Sequence, residues 1–358
     1  MGLVTQKTAL CCNPRSTTWW VCHVKLWLHV EVLRMYPVEH RCSDCIDLML
    51  PAFNIKGYSY KTLSFVMFGA ASLWGLYWLP VRALAEMGMD GVWPVALMNL
   101  FPALCLTPFM LTWLIRPHIG VREAFWSGLS VGIGFAFYTF AMLETTIVRA
   151  TLLFYLTPIW STLLGIFILS EPFTRTRAIA ISVGLLGCFI LLSPDQTASV
   201  ALNIGELYGL LAGGFWAIGA TCIKRWPQSP ALLITWFQLI STTLVALIFA
   251  LLIYQTQAPD WLLVVQSLPI TLGASVFILL PSTLLLMIIS QVLYPGRVGV
   301  LMMSEVLVAI VSASLLVPEE RMSLVQWGGA AAIIIAALFE VFSVQNKKTD
   351  LNRLRSDP

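Results

Sequence analysis

Charge is what this sequence has least of. Asp, Glu, Lys and Arg make up 11% of its 358 residues, against about 25% in soluble domains. Hydrophobic residues make up 58%, and mean hydropathy is +0.84. No water-soluble fold of this length has enough interior to hide that much apolar surface, so the expected solvent is the lipid bilayer. Histidine is nearly absent. Of four, three lie before residue 62, and His118 falls in a short polar connection. That leaves no imidazole at membrane depth for a metal centre or for a nucleophile's base. No glycine-rich loop ends in Lys-Ser or Lys-Thr, and Gly132-x-Gly134 is not followed by the third glycine of a dinucleotide fingerprint. ATP-driven work and enzyme chemistry are therefore not expected, nor is any cofactor or metal. Basic stretches interleaved with aromatics are also missing, which argues against a nucleic-acid partner.

The eight cysteines do not suggest a disulfide framework. Five lie in the first 45 residues, and Cys105, Cys188 and Cys222 sit singly in apolar runs, where a thiol behaves as a small hydrophobe. Residues 1–62 differ from the rest in charge and cysteine content. Cys42, Cys45, Cys11, Cys12 and His23 lack a second regularly spaced ligand pair, so a zinc site is not expected there. The segment does not read as a signal peptide. It is expected to be a disordered tail or sequence upstream of a misplaced start.

From Ser64 on, ten apolar runs of spanning length follow one another: 64–85, 92–115, 123–143, 147–169, 177–193, 204–223, 231–254, 264–290, 298–317 and 325–344. Turn chemistry separates them, as in "EMGMDG", "SEPFTRTR", "KRWPQSP" and "VPEERMS". The fold class expected is all-α integral membrane. Cations collect on alternate connections: Arg116 and Arg122, Arg175 and Arg177, Lys224 and Arg225, Arg297, and the basic tail 347–358. The other ends carry Arg82, Arg149 and Arg321 among Glu86, Asp90, Asp195, Asp260, Glu319 and Glu320. The positive-inside rule then puts both termini in the cytoplasm.

The two halves, 63–200 and 201–346, echo each other. "WGLYWLPVR" (74–82) and "WAIGATCIK" (216–224) each begin with Trp and end on a cation. Arg149 aligns with Arg297, Thr157 with Glu305 and Glu171 with Glu319, without a gap. Five helices is an odd number, so matched halves insert with opposite orientation. Inverted repeats mark many secondary transporters, with the substrate near the midplane.

On these residues the chain resembles the drug/metabolite transporter superfamily, and within it the ten-helix EamA-type permeases. The likeness is carried by Trp74-Gly75, "RATLLFYLTPIWSTLLGIFILSEPFTR" (149–175), "GLLGCFILL" (184–192), "FWAIGATCIKR" (215–225) and "EVLVAIVSASLLVPEERMSLVQWGGAAAIIIAAL" (305–338). It departs from many members at Asn99, where they carry Arg. The resemblance implies a carrier of amino acids or other small metabolites, most often an exporter, in a bacterial-type inner membrane. Uptake, or a non-transporting membrane subunit, is the alternative. A homodimer is compatible with the sequence.

Glu305 lies in the apolar run "LMMSEVLVAI" (301–310). Eight residues past Arg297, it sits about 12 Å deeper along a helix, well inside a hydrocarbon core of about 30 Å. An acid there faces a wet cavity, carries a proton, or bonds a neighbouring helix. Proton coupling and capture of a substrate amine are its functional readings. Trp74 and Trp78, with Tyr77 between them, are candidates for the cavity wall, and Tyr138, Tyr155 and Trp216 for the wall opposite. Arg82, Glu144, Arg149 and Arg297 are gate or anchor candidates. Arg297 reads first as a snorkelling anchor, and Glu144 with Arg149 as a latch. Pro158 and Pro281 are hinge candidates, since proline frees a helical carbonyl. Asn99 and Gln238 read as interhelical hydrogen-bonding amides.

Overall fold

The computed structural model describes residues 58–89, 91–114, 120–145, 147–171, 173–191, 203–316 and 322–342. Most of the tail 1–62, the whole of 347–358, Glu319 and the side chain of Arg149 lie outside the described residues. Every regular element among the described residues is a helix. In chain order they are α1 (Tyr60–Trp74), α2 (Trp78–Glu86), α3 (Trp93–Leu114), α4 (Val121–Glu144), α5 (Ile147–Phe154), α6 (Thr157–Leu169), α7 (Arg175–Leu191), α8 (Ile204–Arg225), α9 (Ala231–Ile248), α10 (Trp261–Ala274), α11 (Leu280–Ser290), α12 (Pro295–Met302), α13 (Ser304–Leu316) and α14 (Leu324–Phe342). A π-helical turn, Phe249–Ile253, extends α9, and another, Ser275–Leu279, joins α10 to α11.

Helix is the only way an isolated chain segment satisfies its backbone in lipid, and the apolar runs dictate where the helices lie. Their ends follow local chemistry. Ser59 caps α1 by accepting from the Thr62 amide at 3.1 Å, so the first helix starts four residues before the apolar run does. Asn203 caps α8 in the same way through the Glu206 amide at 3.0 Å. Lys224 and Arg225 sit in the last turn of α8, where cations favour the carbonyl end.

Eight helices or joined helix pairs are long and apolar enough to cross a membrane among the described residues. The fourth and fifth expected spans are the two that differ. The run 147–169 is not one helix but two, because the backbone leaves the α-helical ladder at Tyr155 and Leu156. The run expected at 177–193 forms α7, which has 17 residues and begins on Arg175 and Arg177.

The ninth span breaks in the same way, at Met303 between α12 and α13. The helix α12 starts and stops 148 residues after α5 does (295 less 147, and 302 less 154). Packing is pairwise and extensive: α8 lies against α4, α5 and α6; α9 against α3 and α4; α14 against α7; α12 against α6; α13, α12 and α11 against α1; and α10 against α3. Small residues allow the closest of these. A Cβ on Gly299 of α12 would lie 2.9 Å from the Pro158 Cα of α6, and one on Gly128 of α4 would meet the Ile234 carbonyl of α9 at 2.6 Å.

Candidate functional site: an aromatic cavity between two helix breaks

The breaks meet around a cavity. Its wall is Trp74 at the end of α1, Phe135 and Tyr138 of α4, Phe154 at the end of α5, Trp216 of α8, Gln238 of α9, Thr283, Leu286 and Met287 of α11, Met302 at the end of α12, and Glu305 in the first turn of α13. Three of these residues close a helix just where its span is interrupted. The interruption turns a side chain, and a freed carbonyl, toward the space between helices. The Tyr155 hydroxyl donates to one such carbonyl, that of Met302, at 3.4 Å, and it also faces the Glu305 carboxyl. The Thr157 hydroxyl donates to another, that of Phe154.

The free space is about 20 Å³, room for about one water molecule. A metabolite enters only if helices part. The wall is mostly aromatic. Trp74 meets Phe135 edge-on with centroids 4.8 Å apart, and Tyr138 lies 4.3 Å from Phe154. Its few polar atoms stand out because several lack partners. The indole N–H groups of Trp74 and Trp216 and the amide oxygen of Gln238 are buried without a hydrogen bond. Glu305 is half-buried and borders the space. No Lys, Arg or His belongs to the wall among the described residues.

Four of the residues expected to form the cavity do so: Trp74, Tyr138, Trp216 and Glu305. Two others stand just behind it. Tyr155 is buried, and Tyr77 packs its ring on Trp74 at 5.6 Å and on Phe135 at 6.1 Å. Trp78 turns elsewhere and donates to the Ser312 hydroxyl of α13 at 3.0 Å. Both prolines expected as hinges open a helix segment directly after an interruption: Pro158 begins α6 after the break, and Pro281 begins α11 after the π turn. Proline's missing N–H costs nothing in a first turn. Phe135, Phe154, Thr283, Leu286, Met287 and Met302 were not expected in the wall. The repeat alignment carried a signal for two of them, since Phe154 and Met302 are also 148 residues apart.

A second polar centre lies at the ends of α6, α7, α12 and α14. Arg177 is paired with Glu171 and, at 3.1 Å, with Glu340; both acids are buried. Arg297 is buried as well. Its Nε donates to the Ser64 hydroxyl at 2.9 Å and its guanidinium to the Val341 carbonyl at 3.3 Å. Protein groups hold it, so it is not a side chain snorkelling to headgroups. Arg82 is exposed and pairs with Glu86 at 3.3 Å. Glu144 is half-buried, and its backbone carbonyl accepts from the Asn203 amide at 3.1 Å.

Comparison with known proteins agrees with this architecture. Residues 62–193 match the EamA-like transporter family. The first part of the bundle is thus similar to that family, in line with the resemblance to the drug/metabolite transporter superfamily. The chain is also 28% identical over 170 residues to a Bacillus subtilis (strain 168) protein described as "Uncharacterized transporter YojE". That match takes in 43% of this chain and 53% of the relative, so the chain spans about half the length of the curated relative it matches. A solved crystal structure superposes with a TM-score of 0.58 over 78% of this chain and 96% of its own, at 19% identity, which speaks to the fold alone. The chain is a multi-pass membrane protein whose residues 62–193 resemble a transporter family.

Proposed function

We propose that the protein is a secondary carrier that moves amino acids or related small metabolites across a bacterial-type inner membrane, in the direction of export, by alternating access. The observation that carries this reading is the closed aromatic cavity at the two helix breaks, with an acid and unpartnered polar atoms on its wall. A cavity too small for a metabolite and bordered by interrupted helices suits a site that opens alternately to each side.

In this reading the chain has ten spans in two inverted five-helix repeats, 63–200 and 201–346, with both termini cytoplasmic. The matched breaks support the repeat, and so does the packing. A two-fold in the membrane plane pairs α3 with α9, the α5–α6 span with the α12–α13 span, and α7 with α14, and each of these pairs is in contact. It also exchanges α4 against α8 with α11 against α1, and both contacts are present.

Glu305 is the coupling acid of the proposal. It takes up a proton from one side and releases it to the other as substrate is exchanged. Proteoliposomes enclosing a pH-sensitive dye test this against a panel of amino acids and polyamines. Substrate-driven proton movement is expected from the native protein and is expected to fall to background in Glu305→Gln. Solute movement without proton flux, unchanged in the Gln form, makes the protein a facilitator and Glu305 a packed neutral acid. The absence of any solute movement counts against the carrier reading itself.

A further inference from the structure

Gln238 sits on α9, is 2% exposed, and borders the cavity. Which end of its amide is left without a partner follows from its neighbours. The Thr242 hydroxyl donates to the Gly132 carbonyl of α4 at 3.1 Å, and a hydroxyl has only one proton to give. Toward Gln238 it therefore presents a lone pair, and the amide meets it with its NH₂ group, at 3.1 Å. A flipped amide would set two acceptors against each other. The amide oxygen is thus the end left over, and it is buried with no partner. Asn99 makes the contrast. Its amide donates to the Val95 carbonyl of its own helix at 2.9 Å, and it lies away from the cavity wall.

The cavity then offers a consistent set of groups. Gln238, with its unpartnered Oε1, and Glu305 supply hydrogen-bond acceptors, five aromatic rings line the wall, and no base stands among the described wall residues. Aromatic faces and a carboxylate favour a cation of any kind. An unpaired buried amide oxygen asks for more, namely an N–H donor, because a buried acceptor left without one is penalised. A primary ammonium group brings positive charge and three such donors. A quaternary ammonium brings the charge alone.

Taking the cavity as the substrate site of the carrier proposed above, we propose that Gln238 is a specificity-determining residue: its fixed amide oxygen and the Glu305 carboxylate together bind the protonated primary amine of the substrate and discriminate against N-methylated cations.

Two probes of equal charge and similar bulk test this: phenethylamine and its N,N,N-trimethyl analogue. Binding is read from tryptophan fluorescence of the full chain in lipid nanodiscs, with Trp74 and Trp216 as reporters in the wall. The native protein is expected to prefer the primary amine by about tenfold, the scale of one buried hydrogen bond to a charged group. Gln238→Met keeps the length and removes the acceptor. It is expected to weaken the primary amine by about tenfold and leave the trimethyl probe within about twofold, while Gln238→Glu retains the preference. Equal weakening of both probes in Gln238→Met would make Gln238 a packing residue and overturn the assignment. So would a native protein that binds the trimethyl probe as well or better, a comparison that needs no variant to fold. Failure to bind either probe also overturns it. The solute screen in proteoliposomes is scored separately, so transport of a solute with no preference for a primary amine removes this inference and leaves the carrier reading in place.

Discussion

Glu305, Glu171 and Glu340 are acids within an apolar bundle, and their surroundings give them different work. Glu171 and Glu340 share Arg177 away from the cavity, whereas Glu305 has no cation beside it in the cavity wall. The first two are the stability-bearing ones. Removing one partner from a buried ion pair leaves an uncompensated charge and costs about 3–5 kcal/mol. Exposed pairs contribute about 0–1 kcal/mol. Glu340→Ala is therefore expected to lower the unfolding midpoint in detergent markedly. Glu86→Ala, at the exposed pair with Arg82, is expected to leave it nearly unchanged. Similar midpoints for the two variants would remove the structural role assigned to the buried network. Glu305 was legible in the sequence because a single acid in an apolar run stands out without any neighbour's help. Arg297 was not, since whether it reaches headgroups or is buried depends on Ser64 and Val341, 233 and 44 residues away. Gln238 reads from sequence as a packing amide for a related reason. The direction of its oxygen is set by a hydroxyl one turn on and by a glycine carbonyl on another helix.

At the scale of elements, the ten apolar runs located the helices well, and they hid the interruptions. Hydropathy is summed over a window, so two helices separated by two non-helical residues look like one. Pro158 marked the break in the fourth span, because proline is tolerated where a helix restarts, and Pro281 marked the π turn in the eighth, but no proline marks the break at Met303. They did not reveal that the fourth and ninth spans break at matching positions. Those breaks are held in place by a close crossing. Gly296 and Gly299 of α12 lie against Thr162 and Pro158 of α6, and a Cβ on Gly299 would come within 2.9 Å of backbone. Backbone cannot swing aside as a flexible side chain can. Gly299→Leu is expected to force α12 from α6, with a cost of about 1–3 kcal/mol in stability and loss of transport. Gly214 is also within a helix, but nothing lies within 4 Å of its added Cβ. Gly214→Ala is expected to leave transport intact and to gain about 0.5–1 kcal/mol from helix propensity. Unchanged transport in Gly299→Leu would show that the two breaks work independently of their crossing.

Across the whole molecule, the largest helix contacts are matched under the proposed exchange of the halves, while several of the smaller ones are not. The alignment rested on Trp74 with Trp216, the cations Arg82 and Lys224, Arg149 with Arg297, and Glu171 with Glu319. Sequence identity decays at lipid-facing positions, where any apolar side chain serves, while helix ends and crossings persist because geometry depends on them. Inversion makes a claim that parallel repetition does not: equivalent connections lie on opposite sides of the membrane. In the proposed repeat the connection after α2 and the connection after α8 are equivalent in this sense. Both offer exposed positions, Glu86 and Gln228, and Gln257 after α9 provides a third. Cysteines placed singly at these positions, with the native cysteines changed to serine, can be tested in intact cells with a membrane-impermeant maleimide. Glu86→Cys and Gln257→Cys are expected to label from outside, and Gln228→Cys only after the membrane is opened. The charges point the same way, since Lys224 and Arg225 precede Gln228, whereas Asp260 follows Gln257. Labelling of Glu86→Cys and Gln228→Cys from the same side would mean an even number of crossings between them. The repeat would then be parallel, and a cavity related to itself by a two-fold in the membrane plane would have no basis.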